Sequence, residues 1–295
     1  MPFDVETYAP ADRADYLRLL RDAWGDAAVD GDEFDWWFRG PEGALRSLAR
    51  MDGRVVGAAA HSWLRVASGG GRERKVTFSL HAVTDPAARG QGVFPALESK
   101  HEEEARAGGA AAVISVPAES AGSVFLTKLG WTSIAALRLW ARPLPRLGRR
   151  RGVERLERFE HDGDAAADWR ENHVVRDRRH LTWRYLESPR GYDVVRAGGG
   201  YAVVGHKRQR GQPVAYVADL VGRDPRALLR ACLSVARPGS RALLALPPSG
   251  ERRAYVAAGF LPTPLTLHFM GKGLAEPLDA DRTAWRLTLG DTDFF

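Results

Sequence analysis

The chain has 295 residues, enough for two ordinary domains, and 44% of them are apolar, enough to fill a sizeable core. Its single cysteine, Cys232, rules out an intrachain disulfide framework, and no apolar run approaches the length of a membrane span or a signal-peptide core, which points to a cytoplasmic protein. A net charge of +6, carried mostly by arginine, suits a polyanionic ligand, either a phosphorylated coenzyme or a nucleic acid.

Residues 5–9 read as a strand. Asp12 then caps a helix whose apolar face is Tyr16, Leu17, Leu20, Ala23 and Trp24 at helical spacing. A second short helix starts at Glu33 and runs to Phe38. Residues 45–49, 55–66 and 76–83 are strands, with Gly69, Gly70 and Gly71 at a hairpin tip. Phe94, Leu97 and Ala105 line a helix that ends at Gly108 and Gly109. His101 packs along that face, while Glu102, Glu103 and Glu104 read as a solvated face. Residues 111–116 form a short apolar strand, completing a strand, loop, helix and parallel strand.

The second half repeats this scheme, with a helix over 225–236 and a strand over 242–246. Cys232 shares that helix's stripe with Leu228, Leu229 and Leu233 and reads as a small buried hydrophobe. Between the halves, Pro143 and Pro145 lead into Arg146-Leu147-Gly148-Arg149-Arg150-Arg151. This run reads as an exposed linker; a nucleic-acid arm is the other reading, but no aromatic-interleaved basic sheet motif accompanies it.

The segment Val83-Thr84-Asp85-Pro86-Ala87-Ala88-Arg89-Gly90-Gln91-Gly92-Val93-Phe94 joins a strand to a helix. Arg89, Gly90, Gln91 and Gly92 stand where successive backbone N–H groups converge on one anion. Glycine lets the chain turn and admits a phosphate close to the backbone, and the positive end of the helix dipole adds to the attraction. A Walker loop is excluded because no Lys-Ser or Lys-Thr follows. A Rossmann fingerprint is excluded because its third glycine falls on Pro95.

What remains resembles the pyrophosphate loop of the GNAT acetyltransferase family, whose usual pattern is Gln/Arg-x-x-Gly-x-Gly/Ala. Gly90 and Gly92 match, Arg89 is the arginine that commonly precedes the first glycine, and the Gln/Arg slot falls on Ala87. Upstream, Gly53-Arg54-Val55-Val56-Gly57-Ala58 looks like the family's hairpin into the central sheet. Downstream, Ser123-Val124-Phe125-Leu126-Thr127-Lys128-Leu129-Gly130-Trp131 resembles its Phe-Tyr-x-Lys-x-Gly-Phe segment. The family's tyrosine, often the acid that protonates the leaving thiolate, falls on Leu126, which has no proton to give; Ser120 or Ser123 stands where the usual asparagine would be.

The chain also carries a diverged internal repeat. Trp36-Trp37-Phe38-Arg39-Gly40-Pro41-Glu42-Gly43 recurs as Trp183-Arg184-Tyr185-Leu186-Glu187-Ser188-Pro189-Arg190-Gly191, and Phe125 to Trp131 resembles Tyr255-Val256-Ala257-Ala258-Gly259-Phe260. The second copy is shorter in the region where the first holds its glycine loop. There it has Asp224 as a helix cap and Pro225 at the first helical position. The expected fold is a mixed α/β sheet flanked by helices in two tandem GNAT-like domains. Residues 1–145 would bind acyl-CoA and 146–295 would be degenerate, with a V-shaped splay between strands 4 and 5 of the first.

The resemblance implies acyl transfer from acetyl-CoA, or another acyl-CoA, to a primary amine of a small molecule. The attack is direct, with no covalent enzyme intermediate and no metal. Ala82, Val83, Thr84, Arg89, Gly90, Gln91, Gly92, Val93 and Phe94 would hold the coenzyme, with a backbone N–H near Val83 aimed at the thioester carbonyl. His81, Glu119, Ser123 and Asp293 are the catalytic candidates, with His61 or water as further bases. His81 is either a base or a satisfied histidine, and Glu119 either a base or a helix-capping acid. The tail with Asp291, Asp293, Phe294 and Phe295 either reaches the first domain or docks as a strand end. Trp36, Trp37 and Trp63 either wall a pocket or fill the core. The alternatives to an enzyme are a non-catalytic acyl-CoA-binding protein and a basic nucleic-acid-binding protein. No nucleic-acid or membrane partner is expected, and an oligomer is possible.

Overall fold

The structure is a computed structural model that describes residues 2–69, 71–144, 154–163, 169–209 and 211–293. The arginine run at 146–151 and the last two phenylalanines lie outside the described residues. The chain divides into two compact units, one made of residues 1–65, 74–135 and 268–280 and the other of 66–73, 136–267 and 281–295. A division at 145/146 would leave residues 268–280 with the second half; the units assign them to the first. No helix among the described residues is long and apolar enough to cross a membrane.

In the first unit the elements are β1 (Asp4–Thr7), α1 (Arg13–Trp24), α2 (Gly31–Phe38), β2 (Ala44–Met51), β3 (Arg54–Ala67), β4 (Glu73–Thr84), α3 (Val93–Ala107), β5 (Ala112–Ser115) and α4 (Glu119–Lys128). Its strands follow the order β1-β2-β3-β4-β5, and the end of β12 (Leu261–Gly273) adds to β5. β1, β2 and β3 pair antiparallel, β4 and β5 parallel, and β12 antiparallel to β5 through Met270 and Ser115. β3 is a near-continuous buried run because both faces are covered. Val55 and Ala58 meet Tyr16, Leu19, Leu20 and Phe34; Val56 and Ala59 meet Val93 and Leu97 of α3. Each fully buried valine, leucine or phenylalanine among them contributes about 1.5–3 kcal/mol.

The packing corrects several details. On α1 the buried residues are Tyr16, Leu19 and Leu20, whereas Trp24 is 38% exposed. Asp12 stands at the N-cap position, but its carboxylate accepts from the Ala9 amide (2.8 Å) and pairs with Arg50 instead of capping α1. Helix α2 begins earlier than Glu33, because Asp30 caps it by accepting from the Glu33 amide at 2.8 Å. Glu102 is not solvated: it is buried and accepts from Trp131 Nε1 (2.7 Å) and Lys272 Nζ (2.6 Å). Trp36 and Trp37 are buried, as core residues are, and Trp63 is half-buried over Gly108, where a Cβ would collide with its ring.

The second unit holds the rest of β6 (Thr132–Pro143), then β7 (His173–Val174), α5 (Arg178–Leu181), β8 (Asp193–Ala197), β9 (Gly200–Gln209), β10 (Gln212–Val221), α6 (Pro225–Val235), β11 (Ala242–Ala245) and α7 (Arg252–Ala257). Its strand order is β6-β11-β10-β9-β8, with β10 and β11 parallel. Two antiparallel strands, a third, a helix, a parallel strand and a short helix thus occur in the same order as β2 to α4. The repeat extends to the backbone: Gly43 and Gly191, and likewise Gly130 and Gly259, all have positive φ. Cys232 lies on the buried face of α6, and burial pushes its thiol up and out of the reactive range.

Candidate active site

β4 carries the site. It pairs with β5 only from Val76 to Phe78, opposite Ala112 to Ile114, and then runs on to Thr84 without that neighbour. The last link is the Ser115 hydroxyl, which donates to the Ser79 carbonyl at 2.9 Å. Beyond this point the parallel pair splays. At His81 the backbone takes a φ of +50°, a left-handed conformation that is costly for a residue with a Cβ, typically about 1–3 kcal/mol. The surroundings hold it there. The Tyr16 hydroxyl donates to the His81 carbonyl at 3.0 Å, and the buried imidazole stands edge-on to Trp37 and Phe38, with ring centroids at 5.9 and 5.8 Å.

Past Thr84 the chain turns through Pro86–Ala88, fixed by the Asp85 carboxylate accepting from the Ala87 amide at 3.0 Å. Gly90 and Gly92 follow with φ of +80° and +87°. A Cβ on either would meet no protein atom within 4 Å, so the space above the loop is open while the backbone itself demands glycine. Gly92 is the N-cap of α3 and supplies no capping side chain. The first turn of any helix leaves N–H groups without intrahelical partners, and Pro95 removes one of them here. The Ala96 amide makes the next bond, to Gly92. Val93 is buried against β3 because Gly57 has no Cβ to block it. Phe94 packs edge-on against Phe125 at 5.2 Å. Arg89 and Gln91 are exposed and brace the loop, Arg89 Nε toward the Thr84 carbonyl (3.4 Å) and Gln91 Nε2 toward the Ala87 carbonyl (3.2 Å).

A family model described as an acetyltransferase (GNAT) domain matches residues 4–134. Residues 4–134 are a GNAT acetyltransferase domain. Among solved structures, the chain resembles a putative acetyltransferase from Pyrococcus horikoshii at 14% identity and a TM-score of 0.68, covering 100% of this chain and 95% of that one. It also resembles a GCN5-related N-acetyltransferase from Kribbella flavida (18% identity, TM-score 0.65, 92% and 72% covered). A probable N-acyltransferase from Enterococcus faecalis matches at 9% identity and a TM-score of 0.64, with 93% and 73% covered. These likenesses extend the GNAT fold over both halves of the chain. No curated protein matches the sequence.

The other candidates sit in varied surroundings. Val83 is buried, and Ala82 and Thr84 are half-buried at the end of β4. Ser123 is exposed on α4, its carbonyl accepting from the Thr127 hydroxyl at 2.7 Å. Leu126 is 42% exposed. Glu119 opens α4, and its side chain lies outside the description. The tail segment docks in the second unit. Arg184, itself buried, donates to the Gly290 carbonyl (2.7 Å) and the Thr292 carbonyl (3.1 Å), and Arg190 donates to the Asp293 carbonyl at 2.8 Å.

His61 is not available as a base. It is fully buried, and burial drives its pKa down to about 3. Its Nε2 lies 2.9 Å from Glu98 Oε2 and its Nδ1 3.2 Å from Thr77 Oγ1. Glu98 escaped the sequence reading. The available signal was its position on the Phe94, Leu97, His101 stripe, where an acid needs a partner. Burial pushes its carboxyl up to about 7.

In the second unit the corresponding helix start is closed. The Asp224 carboxylate accepts from the Arg226 and Ala227 amides, both at 3.0 Å. The start of α3 has no such side-chain cap.

Proposed function

We propose that this chain is a cytoplasmic N-acyltransferase that moves an acetyl or other short acyl group from acyl-CoA to a primary amine of a small molecule. The observation that carries the reading is the pair of left-handed glycines opening onto the uncapped start of α3, beside a β4 that parts from β5. The residues fit a diphosphate: amides from Gly90 to Phe94 meet it with no Cβ in the way, and Arg89 adds charge. Ala82, Val83 and Thr84 flank the coenzyme's arm in the gap left by β5. The kink at His81 turns the following peptide groups out of register, and an N–H near Val83 polarises the thioester carbonyl. The amine attacks directly, and alignment of the two reactants supplies much of the rate.

His81, Glu119, Ser123 and Asp293 remain the proposed proton-handling groups, and His81 is the nearest to the carbonyl site along β4. The coenzyme belongs to the first domain. Residues 146–295 form a degenerate copy that takes none, a reading supported by the Asp224 cap.

Release of CoA, followed by thiol detection across a panel of amino sugars, amino acids and other small amines, tests the reading. Turnover with at least one acceptor is expected, and a His81→Gln variant should lose the acid limb of the pH–rate profile. Leu126 favours a second reading, acyl-CoA binding without turnover, because a leucine there cannot protonate a leaving thiolate. Acetyl-CoA would then raise the melting temperature while no amine releases CoA.

A further inference from the structure

Behind β4, inside the first unit, lies a cluster of polar side chains that acyl transfer does not use. Glu98 and His101 stand three residues apart on α3, on one face of the helix. His61 reaches the same point from β3. All three are fully buried, and one ligand-type atom from each lies within 4.8 Å of the others. The imidazoles of His61 and His101 are 4.7 Å apart between centroids.

The outward-facing atoms of the cluster are each held by a hydroxyl. Thr77 Oγ1 lies 3.2 Å from His61 Nδ1, Ser47 Oγ lies 3.0 Å from His101 Nε2, and the Ser79 hydroxyl donates to Glu98 Oε1 at 3.1 Å. That leaves His61 Nε2, Glu98 Oε2 and His101 Nδ1 facing inward. The first two are 2.9 Å apart, and His101 Nδ1 is a buried nitrogen with no hydrogen-bond partner among the described residues. A buried imidazole nitrogen without a partner calls for an explanation. A metal site has this organisation: inner atoms converge on one point, and each ligand's other polar atom is fixed by an outer partner that sets tautomer and orientation.

We propose that His61 Nε2, Glu98 Oε2 and His101 Nδ1 bind one zinc ion, with a water in the fourth position. Two imidazoles and a carboxylate are a borderline donor set that favours zinc over magnesium or calcium, which prefer all-oxygen shells. With zinc bonds of about 2.0–2.2 Å two ligands of a tetrahedral ion stand about 3.4 Å apart, so His61 Nε2 and Glu98 Oε2, now 2.9 Å apart, open slightly to admit the ion. The ion is structural: with every ligand at zero exposure it meets no substrate. It clamps α3 onto β3, and so steadies the helix whose first turn follows Gly92.

The test uses the full chain without a polyhistidine tag, produced in zinc-supplemented medium and analysed by mass spectrometry for metal content. About one equivalent of zinc per chain is expected. Zinc-loaded protein should melt several degrees higher than protein produced under chelation. Cobalt in its place should give the visible absorption of a four-coordinate nitrogen–oxygen site, and His101→Gln should lose that absorption along with the equivalent of metal. Well-folded wild-type protein with neither bound zinc nor a melting shift would overturn the proposal. So would a folded His101→Gln chain that keeps its metal. The wild-type measurements decide the matter even where the variant does not fold, and they stand apart from whether CoA is bound.

Discussion

The Tyr16 hydroxyl donates to the carbonyl of His81 at 3.0 Å, and His81 is the residue at which β4 adopts a left-handed backbone. A side chain on α1 thus holds the kink in the strand that carries the proposed acyl site. Replacing Tyr16 with phenylalanine keeps the ring's packing against Phe34 and leaves a buried carbonyl without its donor. The expected cost is about 1–3 kcal/mol, read from urea midpoints. A fall in kcat larger than any change in KM should accompany it, because the strand loses its preset shape.

Leu126 is exposed on α4, so a larger polar side chain there disturbs little packing. Leu126→Tyr places a phenol at the position that resembles the GNAT tyrosine slot and is proposed to lack its acid. Steady-state kinetics with a responsive amine should show kcat rising by about tenfold or more, the lower end of what a positioned acid supplies.

Lys207 is half-buried on β9, and burial, reinforced by nearby Arg190, lowers its pKa to about 8 from the ordinary 10.5. A folded pKa below the unfolded one means that stability is lost as pH falls from 10.5 toward 8 and stays low beneath that. Lys207→Met removes the cost, so the variant should be more stable than wild type at neutral pH by about 1–3 kcal/mol. The gap should close as pH climbs from 8 toward 10.5, as denaturant melts at neutral and alkaline pH would show.

Asp224 caps α6 with two amide bonds. Asp224→Ala should cost about 1 kcal/mol of stability and leave acetyl-CoA affinity unchanged by calorimetry. A change in affinity would tie the second copy to the coenzyme.

The glycine loop was legible because its geometry is local: positive φ at Gly90 and Gly92 demands glycine whatever the rest of the chain does. The repeat was legible for the same reason, through Gly43 and Gly191 and their flanking aromatics. Long-range pairings were not. His61 and Glu98 are brought together by β3 and α3, and nothing in their spacing announces it. Glu102 read as solvated because its partners, Trp131 just before β6 and Lys272 on β12, stand 29 and 170 residues further along the chain. The pairing of β12 with β5 in the first unit likewise depends on tertiary topology and not on any periodicity within β12.

The central claim is that the backbone between Gly90 and Phe94 holds the diphosphate of an acyl-CoA. Calorimetric titration of acetyl-CoA into the wild type and into Gly92→Val tests it most directly. The wild type should bind. The variant, forced to carry a branched side chain at a φ of +87° on the face open to the ligand, should lose at least tenfold in affinity while keeping its circular dichroism. Equal affinity in both proteins, or no heat of binding from well-folded wild type with any CoA species, would contradict the account.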